Sequence, residues 1–391
     1  MPRTLPRFFF VTADSLSPFP TITWTDAGTT HTARWRSEAG VAPPKRVVVA
    51  DDRMTADAAY RQACEGVALM WHGDFHNARQ LLQAMARRID RKAPRKPAAS
   101  PLDAFNQHRQ AQAQRARTLG MVLIPLEADY SIALRRAPDM REACREAYGP
   151  ADGPSVVSLR ELQGLVGAYE WRKKGVEIAA LGARIHPHYG VFSPVRGEYV
   201  DLVARVPLPS PSVDLAFDIG TGTGVLAALL AKRGIKRIVA TDSDPRALAC
   251  ARENIERLGL AADVEVMEAD LFPPGRAPLV VCNPPWLPAR PSSPIERAVY
   301  DPDNRMLRGF LDGLAAHLAP GGEGWLIVSD FAEHLGLRTR EALLSMIEAA
   351  GLQIVGKEDI KPQHPKASDP NDPLHRARVA EVTSLWRLAA R

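Results

Sequence analysis

The most constraining stretch of this sequence is a run of alternate glycines set between an apolar segment and a strong helix former. Val213-Asp214-Leu215-Ala216-Phe217 has strand character, and Asp218-Ile219-Gly220-Thr221-Gly222-Thr223-Gly224 follows it. Val225 to Arg233 then favours helix and stops at Gly234. Glycines on such a strand-to-helix turn lie at the carboxyl edge of a parallel sheet, where open α/β sheets bind their ligands. Glycines at alternate positions remove the side chains that would hold a ligand away from the backbone.

The residues narrow the ligand. Counted from Gly220, the last position of the dinucleotide fingerprint falls on Val225, a poor match to that pattern. The chain has no Gly-Lys-Ser/Thr ending for a phosphate loop. Asp218, just before the glycines, would repel phosphates and suits a cofactor bearing a positive amino group. A second strand, Arg237 to Thr241, ends in Asp242, an acid placed to accept both hydroxyls of a ribose. A third, Val264 to Met267, runs to Asp270, placed to accept from an adenine amino group. A fourth, Pro278 to Cys282, ends in Asn283-Pro284-Pro285-Trp286.

Taken together, Asp218, Gly220, Gly222, Gly224, Asp242, Asp270 and Asn283-Pro284-Pro285-Trp286 resemble the class I S-adenosylmethionine (SAM) methyltransferases. The final tetrapeptide is similar to that of the small-domain amino-group enzymes, which include adenine-N6, guanine-N2 and release-factor-type glutamine methyltransferases. Each of these acids, and the Asn, closes a strand in chain order, which is far more specific than a glycine loop alone. The resemblance implies an α/β, Rossmann-like, seven-stranded class I domain over residues 187–391, preceded by an α+β domain over residues 1–186. It implies cofactor contacts from Asp218, Gly220, Gly222, Gly224, Asp242, Asp270 and the adjoining Leu271. Catalytic roles fall to Asn283, Pro284, Pro285 and Trp286, with no metal.

The chemistry expected of that turn follows from its residues. An amide or exocyclic amine is a poor nucleophile because its lone pair is delocalised. The Asn283 side-chain oxygen and the Pro284 carbonyl can each accept one N–H, aiming the lone pair at the methyl group. Pro285 stiffens the turn. Trp286 offers a face for stacking a planar group.

Nothing in the composition points to a membrane or to secretion. At 391 residues the chain is long enough for more than one domain. No apolar run reaches spanning length, and Phe8-Phe9-Phe10-Val11 is too short for a signal-peptide core. The cytoplasm is therefore the expected compartment. Cys64, Cys144, Cys250 and Cys282 show no paired spacing and read as reduced thiols.

The first half reads as a hairpin, helices and a linker. Thr21 to Thr25 and Thr30 to Trp35 alternate around Asp26-Ala27-Gly28, with Trp24 and Trp35 as a cross-strand pair. Val47 to Ala50 is expected as a buried strand, and Asp57 to about Asp90 as helical, with Asp74 capping. His72 and His76 have ligand spacing without a third ligand nearby. Arg87 to Pro101 reads as a linker and Leu102 to Leu119 as a helix. Between Arg87 and Arg117 stand nine Lys/Arg and two acids, whereas the whole chain has 50 against 45. Either this basic segment is a phosphate-backbone footprint or it is a solvated loop. A strand at Met121 to Ile124, a helix at Asp139 to Tyr148 and a capping box at Ser158 and Glu161 follow. Val176 to Ile185 is apolar and extended.

Around the catalytic segment, Gly190-Val191-Phe192-Ser193 resembles a ribosomal-RNA guanine enzyme, and Pro194 to Glu198 resembles glutamine methyltransferases. Leu287 to Pro294 is a proline-rich substrate loop. Helices are expected at Asp244 to Leu258, Arg305 to Leu318 and Thr339 to Ala350. Strands are expected at Gly324 to Ser329, Leu352 to Ile360 and Ala380 to Leu388, with a polar loop at Lys361 to His375. The expected activity is SAM-dependent N-methylation of a planar nitrogen. The favoured target is an exocyclic amine of an RNA or DNA base, with RNA or the ribosome as partner. The alternatives are a protein glutamine amide or a non-catalytic SAM-fold binding module.

Overall fold

The structure, a computed structural model, describes residues 19–91, 98–195, 197–210, 213–363 and 369–391. The stretch Phe8 to Val11, part of the Arg87–Pro101 linker, Arg196 and part of the Lys361–His375 loop lie outside the described residues. The first half runs β1 (Thr21–Asp26), β2 (Thr29–Arg36), β3 (Arg46–Ala50), α1 (Ala56–Cys64), β4 (Val67–Trp71), α2 (Phe75–Asp90), α3 (Pro101–Leu119), β5 (Val122–Leu126), α4 (Arg141–Tyr148), β6 (Ser155–Ser158) and α5 (Leu159–Lys174). Then come the hairpin strands β7 (Val176–Ile178) and β8 (Ala183–Ile185), α6 (Glu198–Arg205), β9 (Leu215–Ile219), α7 (Val225–Lys232), β10 (Arg237–Asp242), α8 (Pro245–Arg257), β11 (Val264–Glu268) and β12 (Ala277–Cys282). The chain ends with α9 (Arg305–His317), β13 (Leu318–Ser329), α10 (Phe331–His334), α11 (Arg340–Ala349), β14 (Leu352–Ile360), α12 (His375–Ala380) and β15 (Thr383–Ala390).

The second half builds a seven-stranded sheet in the order β11-β10-β9-β12-β13-β15-β14. Strands β11 through β13 pair in parallel, and β15 is antiparallel to both its neighbours. This is the seven-stranded arrangement with an antiparallel ending that the resemblance implies. Central parallel strands are covered on both faces, so they are mostly apolar. Ala216, Leu279, Val281, Trp325 and Ile327 face a core with α6 and α7. Phe217, Val280, Leu326 and Val328 face a second core with α9 and α11. The chain order turns back beside β9, so the ends of β9, β10 and β12 converge at the crevice where such sheets bind ligands.

The first half forms a six-stranded sheet, β1-β2-β6-β5-β4-β3. Leu69 and Trp71 of β4, Ile124 and Val157 pack against α2 and α5. The alternate residues Ala68, Met70, Leu123 and Val156 face the other side with Ile22 and Trp35. Strand β1 comes against β3 there.

Several expectations change. The helical stretch from Asp57 is broken by β4, because Gly66 at φ 77° ends the α1 turn and Val67 to Trp71 becomes a buried strand. Periodicity alone does not separate so short an apolar run from helix. Strand β3 is not buried: it is the sheet edge, and Val48 is exposed. Ser155–Ser158, not singled out in the sequence, is a strand between β2 and β5. The Ser158 hydroxyl accepts the Glu161 amide at 3.1 Å, but the box is half made. The Glu161 carboxylate accepts instead from the Tyr148 hydroxyl at 2.7 Å and the Glu38 amide at 3.0 Å. Trp24 stacks on its cross-strand partner His31, with centroids 5.3 Å apart, while Trp35 lies in the core beside it. Ala380 ends a helix, and the last strand begins at Thr383.

The halves are joined at several points. The β7–β8 hairpin places Val176, Ile178 and Ile185 in the core of the second half. Beside it, Arg172 of α5 pairs with Glu146 of α4 at 2.9 Å and also with Glu253 of α8. Glu253 in turn meets His188 Nε2 at 2.6 Å. Farther along, Arg246 reaches Glu38 at 2.7 Å and the Ala147 carbonyl at 2.8 Å.

Candidate active site

The glycine turn is braced from behind. Gly220 and Gly224 both take positive φ, 72° and 80°, a region L side chains rarely enter. A Cβ on Gly220 would sit 2.4 Å from Met306 Cε, and one on Gly224 would sit 3.3 Å from Ala251 Cα of α8. Gly220 is thus a close approach at the site, whereas Gly224 lets α7 pack on α8. Gly222 has nothing within 4 Å of where a Cβ would stand.

Asp218 is fully buried, and its Oδ2 accepts from the Thr221 hydroxyl at 2.7 Å and the Ala227 amide at 3.1 Å. Burial pushes its carboxyl up to about 6, the two hydrogen bonds oppose that, and the charge of Asp242 adds to it. Asp242 closes β10 with one oxygen on the Gly222 amide and the other on the Asp244 amide, each at 3.0 Å. Burial raises its pKa as well.

Leu271 follows Asp270 with φ 77°, a strained setting for a leucine. The buried Thr241 hydroxyl holds it there, donating to the Leu271 carbonyl at 2.5 Å. Asp270 itself is exposed and lies 3.6 Å from Arg305.

At the end of β12, the Asn283 side-chain oxygen accepts the Trp286 indole N–H at 2.9 Å. Trp286 is half-buried and packs on both cores of the second half. The ring that could serve for stacking is therefore also a wedge under the turn. Beyond it the chain folds back on itself: Leu287 donates to Val299 at 3.1 Å, and Asp301 donates to Leu287 at 2.8 Å. The Asp301 carboxylate then accepts the Met306 and Leu307 amides at the start of α9.

A cavity of about 1410 Å³ runs across these strand ends. It brings together Gly220, Gly222, Asp242, Asp270, Leu271, Asn283, Pro284, Pro285 and Trp286. Asp218 and Gly224 do not line it: Asp218 is turned inward to hold the turn, and Gly224 is spent on helix packing. Gly190, Val191 and Phe192 of the pre-catalytic segment form another wall. The sequence reading missed further lining residues: Tyr199, Tyr300, Met306, Arg378, Glu381 and, from the basic helix α3, Phe105 and His108. The α3 pair had one legible signal, a lone aromatic in a Gln- and Arg-rich helix with His108 one turn later.

Three arginines of the basic segment are engaged inside the chain. Arg88 pairs with Asp57, and Arg115 with Asp90 at 3.1 Å. Arg109 donates to the Arg290 carbonyl at 2.5 Å and lies 4.4 Å from the centre of the Tyr300 ring. His72 faces Asp26 and His76 faces Gln80, and no group of three or more metal-binding side chains occurs among the described residues. The four cysteines are unpaired thiols. No helix among the described residues is long and apolar enough to cross a membrane.

Comparison with known proteins identifies relatives of this chain. A family model described as the methyltransferase small domain matches residues 182–347. A release factor glutamine methyltransferase of Deinococcus radiodurans is 32% identical over 213 residues, which make up 51% of this chain and 70% of that protein. One from Cereibacter sphaeroides is 35% identical over 149 residues, 34% of this chain and 51% of that protein. A ribosomal protein L11 methyltransferase of Pelotomaculum thermopropionicum is 36% identical over 146 residues, 37% of this chain and 39% of that protein. The chain spans about half the length, or less, of these last two relatives. It belongs to the methyltransferase small-domain family of SAM-dependent methyltransferases.

Proposed function

We propose that this protein methylates a side-chain amide nitrogen of a protein, a glutamine of the kind named for its relatives. In this reading residues 1–186 recognise the substrate and residues 187–391 carry the methyltransferase site. The observation that carries it is the Asn283–Trp286 lock at the end of β12, facing the same cavity as the glycine turn. Contacts of Arg88, Arg109 and Arg115 within the chain leave fewer of the segment's basic side chains for a phosphate backbone, which supports a protein over a nucleic-acid acceptor.

The residues fit SAM. The bare backbone of Gly220 and Gly222 lies open to the cavity. Each oxygen of Asp242 accepts one N–H and keeps a lone pair for a ribose hydroxyl. Asp270 and Leu271 stand at the next strand end, where an adenine would lie, and Asp218 serves from behind by fixing the turn. When bound, SAM supplies a sulfonium methyl that is already electrophilic.

The work left to the chain is to position the acceptor. Asn283 Oδ1 has a second lone pair beyond the one given to Trp286, and it accepts one amide N–H. The Pro284 carbonyl accepts the other. With both N–H groups held, the nitrogen lone pair is directed out of the amide plane toward the cofactor side of the cavity, and preorganised acceptors cost no rearrangement in the transition state. The Trp286 indole N–H keeps Asn283 from rotating away, and Pro285 fixes the turn.

The test is incubation of a cell lysate with the enzyme and methyl-labelled SAM, followed by nuclease or protease. Label that becomes acid-soluble with protease, and resists nuclease, is expected. Label released by nuclease would return the reading to an exocyclic amine of a base. A protein that binds SAM but transfers no label would be a binding module.

A further inference from the structure

The helix α3 belongs to the first half, yet one of its faces is built into the acceptor side of the cavity. Phe105, His108 and Arg109 follow the spacing of one helix face. Phe105 is buried in an apolar cluster with Leu287 from the start of the 287–300 loop and Leu374 from beyond it. One turn on, Arg109 donates to the Arg290 carbonyl at 2.5 Å, and its guanidinium lies over the Tyr300 ring at 4.4 Å. These two contacts lie on opposite arms of the loop, whose base is closed by the Leu287–Val299 and Asp301–Leu287 hydrogen bonds. One side chain therefore holds both arms of the loop that follows the catalytic turn.

We propose that Arg109 is a positioning residue for methyl transfer. By gripping the loop from outside it fixes the lobe of the cavity between α3 and α12, and that lobe receives the polypeptide flanking the acceptor amide. The inference rests on the protein-amide reading given above. It makes the arginine-rich helix a wall for the acceptor and gives the first half a direct part in the reaction. Guanidinium is suited to the task, because its planar fork donates to a carbonyl while its face lies on an aromatic ring.

The experiment compares the wild type with Arg109→Ala, Arg109→Lys and Arg115→Ala. Arg115 lies on the same helix but pairs with Asp90, away from the loop, so its variant controls for lost charge. Hydrogen exchange read by mass spectrometry over residues 287–301 reports the grip without requiring activity. Steady-state methylation of a purified peptide-chain release factor, with SAM affinity by calorimetry, reports the acceptor lobe. Arg109→Ala is expected to speed exchange in the loop roughly tenfold and raise KM for the release factor by a similar factor, the scale of one lost hydrogen bond and cation–π contact. SAM affinity should stay within about twofold, because the cofactor contacts lie elsewhere in the cavity. Arg109→Lys should recover part of both losses, and Arg115→Ala should match the wild type. Unchanged loop exchange in Arg109→Ala would overturn the grip. A loosened loop with an unchanged KM would overturn the acceptor lobe. A wild type that binds SAM and leaves the release factor unlabelled, with no protease-released label in lysate, would instead overturn the protein-amide reading, while the exchange result still decided the grip.

Discussion

In the proposed reaction Asn283 serves two partners with one oxygen. Its Oδ1 takes the Trp286 indole N–H at 2.9 Å, which leaves one lone pair for the acceptor. The wedge and the proposed amide-holding oxygen are therefore coupled, and changes at either should appear in turnover before they appear in cofactor binding. Asn283→Ala is expected to lower turnover by roughly 10²-fold or more while leaving SAM affinity nearly intact, the pattern of an interaction made in the transition state. Asn283→Asp keeps an acceptor for Trp286 but adds a negative charge, so partial turnover should survive. Both quantities need measuring on the same preparation. Joint collapse of turnover and affinity would make Asn283 a structural residue, and no change in either would rule out nitrogen chemistry at this turn. The role of Asp218 was the least legible from sequence at this scale. An acid before a glycine turn suggests a charge facing the ligand, and only the tertiary structure places its carboxylate on Thr221 and Ala227.

Between β10 and β11 the cofactor edge depends on a hydroxyl that never meets the cavity. Thr241 is buried and fixes the strained Leu271 through its carbonyl. Thr241→Val fills the same space but leaves that carbonyl without its donor. A loss of about 1–3 kcal/mol in unfolding free energy is expected. SAM affinity should weaken too, because Leu271 and Asp270 line the cavity from the segment that is released. Thr241→Ser, which keeps the hydroxyl, should restore affinity; if it binds SAM as poorly as the valine variant, the hydrogen bond is not what holds the loop. At this scale strands β9 to β12 were legible because each apolar run leads to an acid or Asn that marks its carboxyl end. Strands β4 and β6 were not, since a run of Val67 to Trp71 or Ser155 to Ser158 is too short to show its period. The docking of α3 was also hidden. Phe105 and Arg109 meet residues far along the chain, and nothing local to the helix indicates that partner.

Across the whole molecule the halves are tied by a polar cluster as well as by apolar packing. Burial tends to raise the pKa of Glu253, but bonds from Arg257, His188 and Arg172 hold it at about 2. A carboxylate with a depressed folded pKa contributes stability above its unfolded value, near 4.5, and loses that contribution as pH falls toward 2. Glu253→Gln should therefore lower the thermal midpoint at pH 7 and converge with the wild type near pH 2–3. Thermal unfolding of both proteins across that range checks this, and parallel curves at every pH would remove Glu253 from the tie. Apolar packing at the same joint bears on inheritance. Val176, Ile178 and Ile185 fill the methyltransferase core from upstream of Pro187. A genetic crossover at Pro187 would pass on a catalyst with an open seam along α6 and α7. A crossover at Gly175 would pass on the plug together with the catalyst, so the heritable unit is longer than its chemistry requires.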